Sequence, residues 1–223
     1  MKATATRLRG NSFVKRAVVF DLDGTLIDSR EDIAAAANAA RQAVGLPGLP
    51  LAKVVSYVGD GADALIERLT PGFTALQRAV ALDAFKTHYS AHCCDVTRPY
   101  PGIIQMLPVL MARGWKLGVA TNKPTAFAQD ICERLGLSEW LPVVVGGDGA
   151  KKPDPASVNK ALARLGATSS RSWMVGDHHT DIHAGRAAGC KILWCHWGIG
   201  DRQGLAVDAE ANCASDVLDL VDG

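Results

Sequence analysis

The chain has 223 residues, with 24 Lys and Arg against 23 Asp and Glu for a formal net charge of +1. That length supports one large domain or a domain with an insert, and the balanced charge offers no field to recruit nucleic acid or an anionic membrane. Its apolar runs fall short of the roughly 18 residues of a membrane span, so the expected partner is a small molecule.

The head, residues 1–16, carries five cations and no acidic residue precedes Asp21. Without an apolar targeting region it reads as a solvated extension. Ala17–Phe20 (AVVF) is the first predicted strand, and it runs directly into Asp21-Leu22-Asp23-Gly24-Thr25. From Ser29 to about Arg98 no convincing strand is visible. Ile33, Ala36, Ala37, Ala40 and Val44 keep one helical face, and Ala75–His92 is a second long helical candidate. The turn-rich "VGLPGLP" and "TRPYPG" punctuate this interval. It reads as a helical domain inserted after the first strand, with residues 29–97 as the insert and residues 1–28 plus 98–223 as the core.

Further strands are predicted at Trp115–Ala120, Pro142–Val145, Ser172–Val175 and Lys191–Cys195, separated by helical patterns at Lys123–Leu135, Pro155–Leu165 and Asp181–Ala188. This alternation indicates an α/β fold whose core is a parallel, Rossmann-like sheet.

Ligands of such sheets sit at the carboxyl ends of the strands. The residues found there are Asp21 and Asp23, then Thr121 and Asn122, then Lys152, then Asp177 and Asp181. Positions two apart on a strand share a face, which predicts that Asp21 and Asp23 address one ligand while Leu22 enters the core. Mg²⁺ held by Asp21 and Asp177 would neutralise the carboxylates and screen an incoming phosphate. A carboxylate on a rigid strand end can attack phosphorus, and a second can shuttle the proton. Thr121 and Lys152 would meet charge on the phosphoryl oxygens. The set suits phosphoryl transfer.

In order along the chain, "DLDGT" (21–25), "ATNK" (120–123), "KPDP" (152–155) and "VGDHHTD" (175–181) resemble the four motifs of the haloacid dehalogenase superfamily. The resemblance implies a helical cap inserted after the first motif, Mg²⁺ as cofactor and an aspartyl-phosphate intermediate. It implies Asp21 as nucleophile, Asp23 as general acid/base, Thr121 as the phosphate-binding hydroxyl and Lys152 as charge stabiliser. For the metal it implies Asp177 with Asp21 and the Asp23 backbone carbonyl, supported by Asp181. An aspartate at position 23 also speaks against dehalogenation.

Within the cap, "YVGDGADALIERL" (57–69) and "HYSAHCCDVTRPYPG" (88–102) are similar to the phosphoglycolate phosphatases of that superfamily. The similarity implies a cap loop at Gly59, Asp60 and Gly61 that closes over a small phosphorylated metabolite. Two departures stand out. His178 replaces the serine common in the fourth motif, and the spacing from Gly146-Gly147-Asp148 to Lys152 is shorter than in many of that group.

Other readings of the same residues stay open at this point. Sugar-phosphate and nucleotide phosphatases, or a phosphomutase, would use the same core residues. A phospho-receiver would place its acidic pair and its phosphorylated aspartate on different strands and would lack a large insert, and a non-catalytic binding module would not need the intact set. Lys151 reads as a surface charge. His179 and His183 have the i, i+4 spacing of metal ligands, but a polar first helical turn explains them equally, and His88 and His92 fit a solvated helix. Gly59 and Gly61 also suit helix ends, and Trp194 and Trp197 read as packing residues. The six cysteines form no CxxC pair, which predicts free thiols and a cytoplasmic location without a disulfide framework; a monomer or homodimer is expected.

Overall fold

A computed structural model describes residues 15–223. The expectation for residues 1–14 lies outside the described residues. Arg16, at the end of the basic head, is fastened rather than solvated: its guanidinium pairs with Asp222 at 3.0 Å and stacks 4.0 Å from the Trp115 ring centroid.

Six parallel strands form the main sheet in the order β5-β4-β1-β6-β7-β8. These are β1 (Ala17–Phe20), β4 (Lys116–Ala120), β5 (Val143–Val145), β6 (Trp173–Gly176), β7 (Lys191–Cys195) and β8 (Ala209–Ala211). Strand β1 is central and buried along its whole length, which is why it is continuously apolar. Its neighbours, β4 and β6, follow it in the chain on opposite sides. That reversal opens a crevice at their carboxyl ends.

Helices cover the sheet: α5 (Ile103–Ala112), α6 (Thr125–Arg134), α7 (Ala156–Leu165), α8 (His179–Ala188) and α9 (Ala214–Leu220). Between β1 and β4 lies the helical interval: α1 (Arg30–Ala43), α2 (Leu51–Val55), α3 (Ala62–Leu69) and α4 (Ala75–His92). Helix α1 buries Ile33, Ala36, Ala37 and Ala40 on one stripe, the predicted face. The small alanines admit α4, whose start is fixed by a reciprocal Thr74–Gln77 capping box.

Three features were not anticipated. A short antiparallel ribbon, β2 (Ile27–Asp28) with β3 (Arg98–Pro99), carries the chain into and out of the helical interval. It is too short to show a period. Asp32 reinforces this crossing, accepting from Thr97 N at 2.8 Å and Thr97 Oγ1 at 2.6 Å. The sixth strand, β8, has the sequence AEA, and only pairing with β7 reveals it. Helix α5 is strongly apolar and contains Pro108, so its pattern is not an amphipathic one.

All six cysteines are free. Among the described residues no helix is long and apolar enough to cross a membrane. Trp194 packs in the core, while Trp197 is half-buried and donates its indole N–H to Thr25 O at 3.0 Å.

Candidate active site

The first motif does not continue as a strand. Strand β1 ends at Phe20, and the chain turns so that Thr25, Leu26 and Ile27 all direct their backbone N–H groups to Leu22 O. Asp21 and Asp23 still line one cavity, with Leu22 in the core, but a turn rather than strand alternation places them there. Gly24 makes the turn possible. Its φ is +85°, and a Cβ would lie 2.2 Å from Asp177 Oδ2, so both backbone and space exclude a side chain.

Asp21, Asp177 and Asp181 form one buried cluster with carboxylate oxygens within 4.8 Å of one another. Burial first, opposed by Lys152 and aided by Asp181, pushes the Asp21 carboxyl up to about 6. Burial and then the charges of Asp181 and Asp21 push Asp177 up to about 7. Lys152 answers part of this charge. Its ammonium is 2.6 Å from Asp181 and 2.8 Å from Asp21, and those carboxylates raise its pKa against the opposing effect of burial. Its approach to Asp21 Oδ1 is an ion pair without hydrogen-bond alignment, which leaves that buried oxygen with no aligned donor.

Neighbouring groups fix each carboxylate. Asp177 accepts from Thr25 Oγ1 at 2.8 Å and from the backbone N–H groups of Ile199 and Gly200 at 2.8 and 3.0 Å. Asp181 accepts from His178 N at 3.0 Å. This capping box also accounts for the first sequence departure: the His178 imidazole takes the helix-cap position, with Nδ1 2.9 Å from Thr180 Oγ1. Burial, and then the adjacent His179, lowers the His178 pKa. The cap loop packs close, since a Cβ on Gly59 would lie 2.6 Å from His178 Nε2.

The second motif divides its work among three residues. Thr121 is buried at the cavity wall, its N–H bonded to Val145 O. Asn122 uses its amide as a bracket: Oδ1 accepts from Lys152 N at 2.7 Å, while Nδ2 donates to Lys152 O at 2.9 Å and to Gly59 O at 3.0 Å. Asn122, expected to meet substrate, lines the cavity while its side-chain amide holds Lys152 and the Gly59 loop. Lys123 was noted only within its motif. It donates to Asp23 at 2.7 and 3.0 Å and sits 4.7 Å from the Tyr89 ring centroid. Ser29 Oγ donates to the same carboxylate at 2.5 Å.

The cavity is roofed by Ile33, Val58, Leu65, Phe85 and Tyr89, with Phe127 from α6. Gly59 and Gly61 line it, but Asp60 does not. The Asp60 carboxylate instead pairs with Arg68. Lys151, expected as a plain surface charge, forms a half-exposed ion pair with Asp63 at 2.7 Å. The donor atoms near α8 that converge are those of Asp60, His178 and His179, not the His179 and His183 pair.

The charge set, the strand-end placement and the roof make up a known plan. The haloacid dehalogenase-like hydrolase family model matches residues 18–195. This chain belongs to that family. It is 36% identical over 209 residues, 93% of this chain and 97% of the relative, to a phosphoglycolate phosphatase of Aquifex aeolicus. It is also 36% identical over 217 residues, 92% of this chain and 96% of the relative, to a phosphoglycolate phosphatase of Chromobacterium violaceum. Among solved structures, a predicted phosphoglycolate phosphatase from Haemophilus somnus 129pt superposes with a TM-score of 0.86 at 29% identity, covering 92% of this chain and 97% of that one. The fold of this hydrolase is thus shared with that solved structure over 92% of the chain.

Proposed function

We propose that this hydrolase is a Mg²⁺-dependent phosphatase that cleaves 2-phosphoglycolate to glycolate and phosphate through an aspartyl-phosphate on Asp21. The observation that carries this reading is the meeting of Asp21, Asp23, Thr121 and Asp177 in one cavity, with Lys152 against Asp21, beneath a roof from the helical interval. The names of the relatives supply the leaving group.

Mg²⁺ fits the donor set. Three buried carboxylates face a single lysine, two of their carboxyls are pushed up by burial and by one another, and Asp21 Oδ1 lacks an aligned donor. Asp21, Asp177 and the Asp23 backbone carbonyl would hold the ion, with Asp181 supporting them. When bound, it would draw charge from the phosphoryl oxygens and lower the repulsion between substrate and carboxylates.

The protein's own groups divide the reaction into two displacements. Asp21 forms a bond to phosphorus as the ester P–O bond breaks, and Asp23 delivers a proton to the departing glycolate oxygen. Water then attacks the phosphorus of the acyl phosphate, Asp23 recovers a proton from that water, and the bond to the Asp21 oxygen breaks. Thr121 meets the equatorial oxygens, and Lys152, paired with Asp21, offsets the charge that gathers on them. Residues 29–97 act as a cap domain over a core of 1–28 and 98–223, with the Gly59–Gly61 loop and the apolar roof excluding bulk water.

The test is Mg²⁺-dependent phosphate release from 2-phosphoglycolate beside a panel of sugar phosphates and nucleotides, with Asp21→Asn in parallel. A marked preference for 2-phosphoglycolate that disappears with the substitution is the expected result. Preference for another ester, still lost with Asp21, would keep the chemistry and overturn the substrate.

A further inference from the structure

The ion pair between Lys123 and Asp23 poses a chemical problem. A general acid must present a protonated oxygen to the leaving group. Here both Asp23 oxygens accept from Lys123, and Oδ1 accepts from Ser29 as well. The side chains of Lys123 and Asp23 are only 7% and 13% exposed, so water is a poor substitute partner for either charge. Removing one member of such a pair while the other stays buried is strongly unfavourable. The Asp23 oxygens are therefore turned to Lys123, and they can face an incoming ester oxygen only when another anion takes the ammonium.

The cavity shows where that anion comes from. Lys123 is the only Lys or Arg among the described residues that line it, and the roof around it is apolar. Tyr89 supports the ammonium from the other side with its ring face. An ester whose phosphoryl group lies at Asp21 places its ester oxygen toward Asp23. With the ester oxygen at Asp23, the ammonium bonded to Asp23 is the one Lys or Arg cation of the described lining available to an anionic group one methylene beyond that oxygen.

We propose that Lys123 reads the carboxylate of the leaving group, exchanging Asp23 for the substrate's carboxylate and so releasing Asp23 for proton transfer. This rests on the reading of 2-phosphoglycolate as substrate. The ammonium stays paired at every stage, first with the enzyme and then with the ligand. A neutral leaving group offers no such exchange: Lys123 stays on Asp23, and proton transfer is impeded. Selection and activation thus fall to one side chain, a positioning residue for Asp23 that also contacts substrate.

The decisive comparison uses the full chain with Mg²⁺ and two esters of nearly the same shape, 2-phosphoglycolate and 2-hydroxyethyl phosphate, which carries CH₂OH in place of the carboxylate. Wild type, Lys123→Met and Lys123→Gln are assayed on both, and the ratio of kcat/KM values is the readout. Because the ratio is taken within one sample, a partly folded variant still reports it, and Lys123→Gln keeps a donor for Asp23. The preference for the carboxylate ester is expected to fall roughly 30- to 300-fold in both variants, the range for loss of a charge-assisted contact in a dry site. A ratio within about threefold of wild type, on the same scale of tenfold per 1.4 kcal/mol, would overturn the inference and leave Lys123 a structural partner of Asp23. Wild type without any preference for 2-phosphoglycolate would overturn the substrate reading and this inference with it. If turnover vanishes on both esters, their affinities for Asp21→Asn and Asp21→Asn/Lys123→Gln give the same ratio by binding alone.

Discussion

The floor and the roof of the cavity are built on opposite principles. The floor is dense in charge: Asp21 and Asp177 follow strands β1 and β6, Asp181 sits in the first turn of α8 and Lys152 in the loop after β5, each tied to other polar groups or to backbone N–H groups. The roof is apolar, drawn from α1, α3 and α4, and it meets the core through packing such as Tyr89 on Phe127 and through polar contacts such as Asn122 to Gly59 and Lys151 to Asp63. A rigid sheet edge suits chemistry that needs fixed charges. A helical roof whose apolar side chains pack on the core, as Tyr89 does on Phe127, suits exclusion of bulk water from a bound ligand. Asp23 lies where the two meet, and Lys123 links it to Tyr89 above.

The strongest way to break the floor is Asp21→Asn, which removes the proposed nucleophile. The kcat for any good ester should fall by at least roughly 10³-fold with the fold intact by circular dichroism. Lys152→Met comes next. It strands two carboxylates around a side chain that is 1% exposed, so stability should drop by about 3–5 kcal/mol in urea unfolding. On the roof, Leu65→Ala should cost about 2–3 kcal/mol and raise KM for small esters more than it lowers kcat. Equal loss in kcat would show that roof and floor are not separable.

Metal and pH sharpen the comparison further. A carboxyl whose pKa is higher in the folded than in the unfolded state binds its proton more tightly when folded. Its contribution to stability is present below the ordinary value of 3.8 and is lost as pH rises through about 6 for Asp21 and about 7 for Asp177. Metal-free protein should therefore lose this contribution between pH 4 and pH 7. The increase in Tm on adding Mg²⁺ should then be larger at pH 8 than at pH 5, by roughly 3–5 °C in differential scanning calorimetry. An equal increase at both values would count against the cluster as the ion's site. The smallest effect belongs to Tyr89→Phe. The substitution keeps the ring that faces Lys123 and removes only the hydroxyl, so stability should change by no more than about 1.5 kcal/mol.

Much of this arrangement was legible in the sequence, for reasons that differ by region. A buried parallel strand must be apolar throughout, so AVVF and its counterparts marked the sheet directly, and their carboxyl ends supplied Asp21, Thr121 and Asp177. The alanine stripe of α1 likewise required a partner helix. Strand β8 stayed hidden because three residues of sequence AEA are too few to carry a period, and β2 and β3 because two residues cannot. What the sequence by itself determined was the α/β plan with a helical insert, and which charged residues stand at its strand ends. Tertiary structure alone decided the partnerships among them: Asn122 bracing Lys152 and Gly59, His178 capping α8, Thr25 steadying Asp177, and Lys123 holding Asp23 beneath Tyr89. The physical reason is range. Burial leaves a periodic mark on neighbouring residues of one element, whereas a charge pair spanning a hundred positions, as Lys123 and Asp23 do, exists only once the chain has brought its ends of strand together.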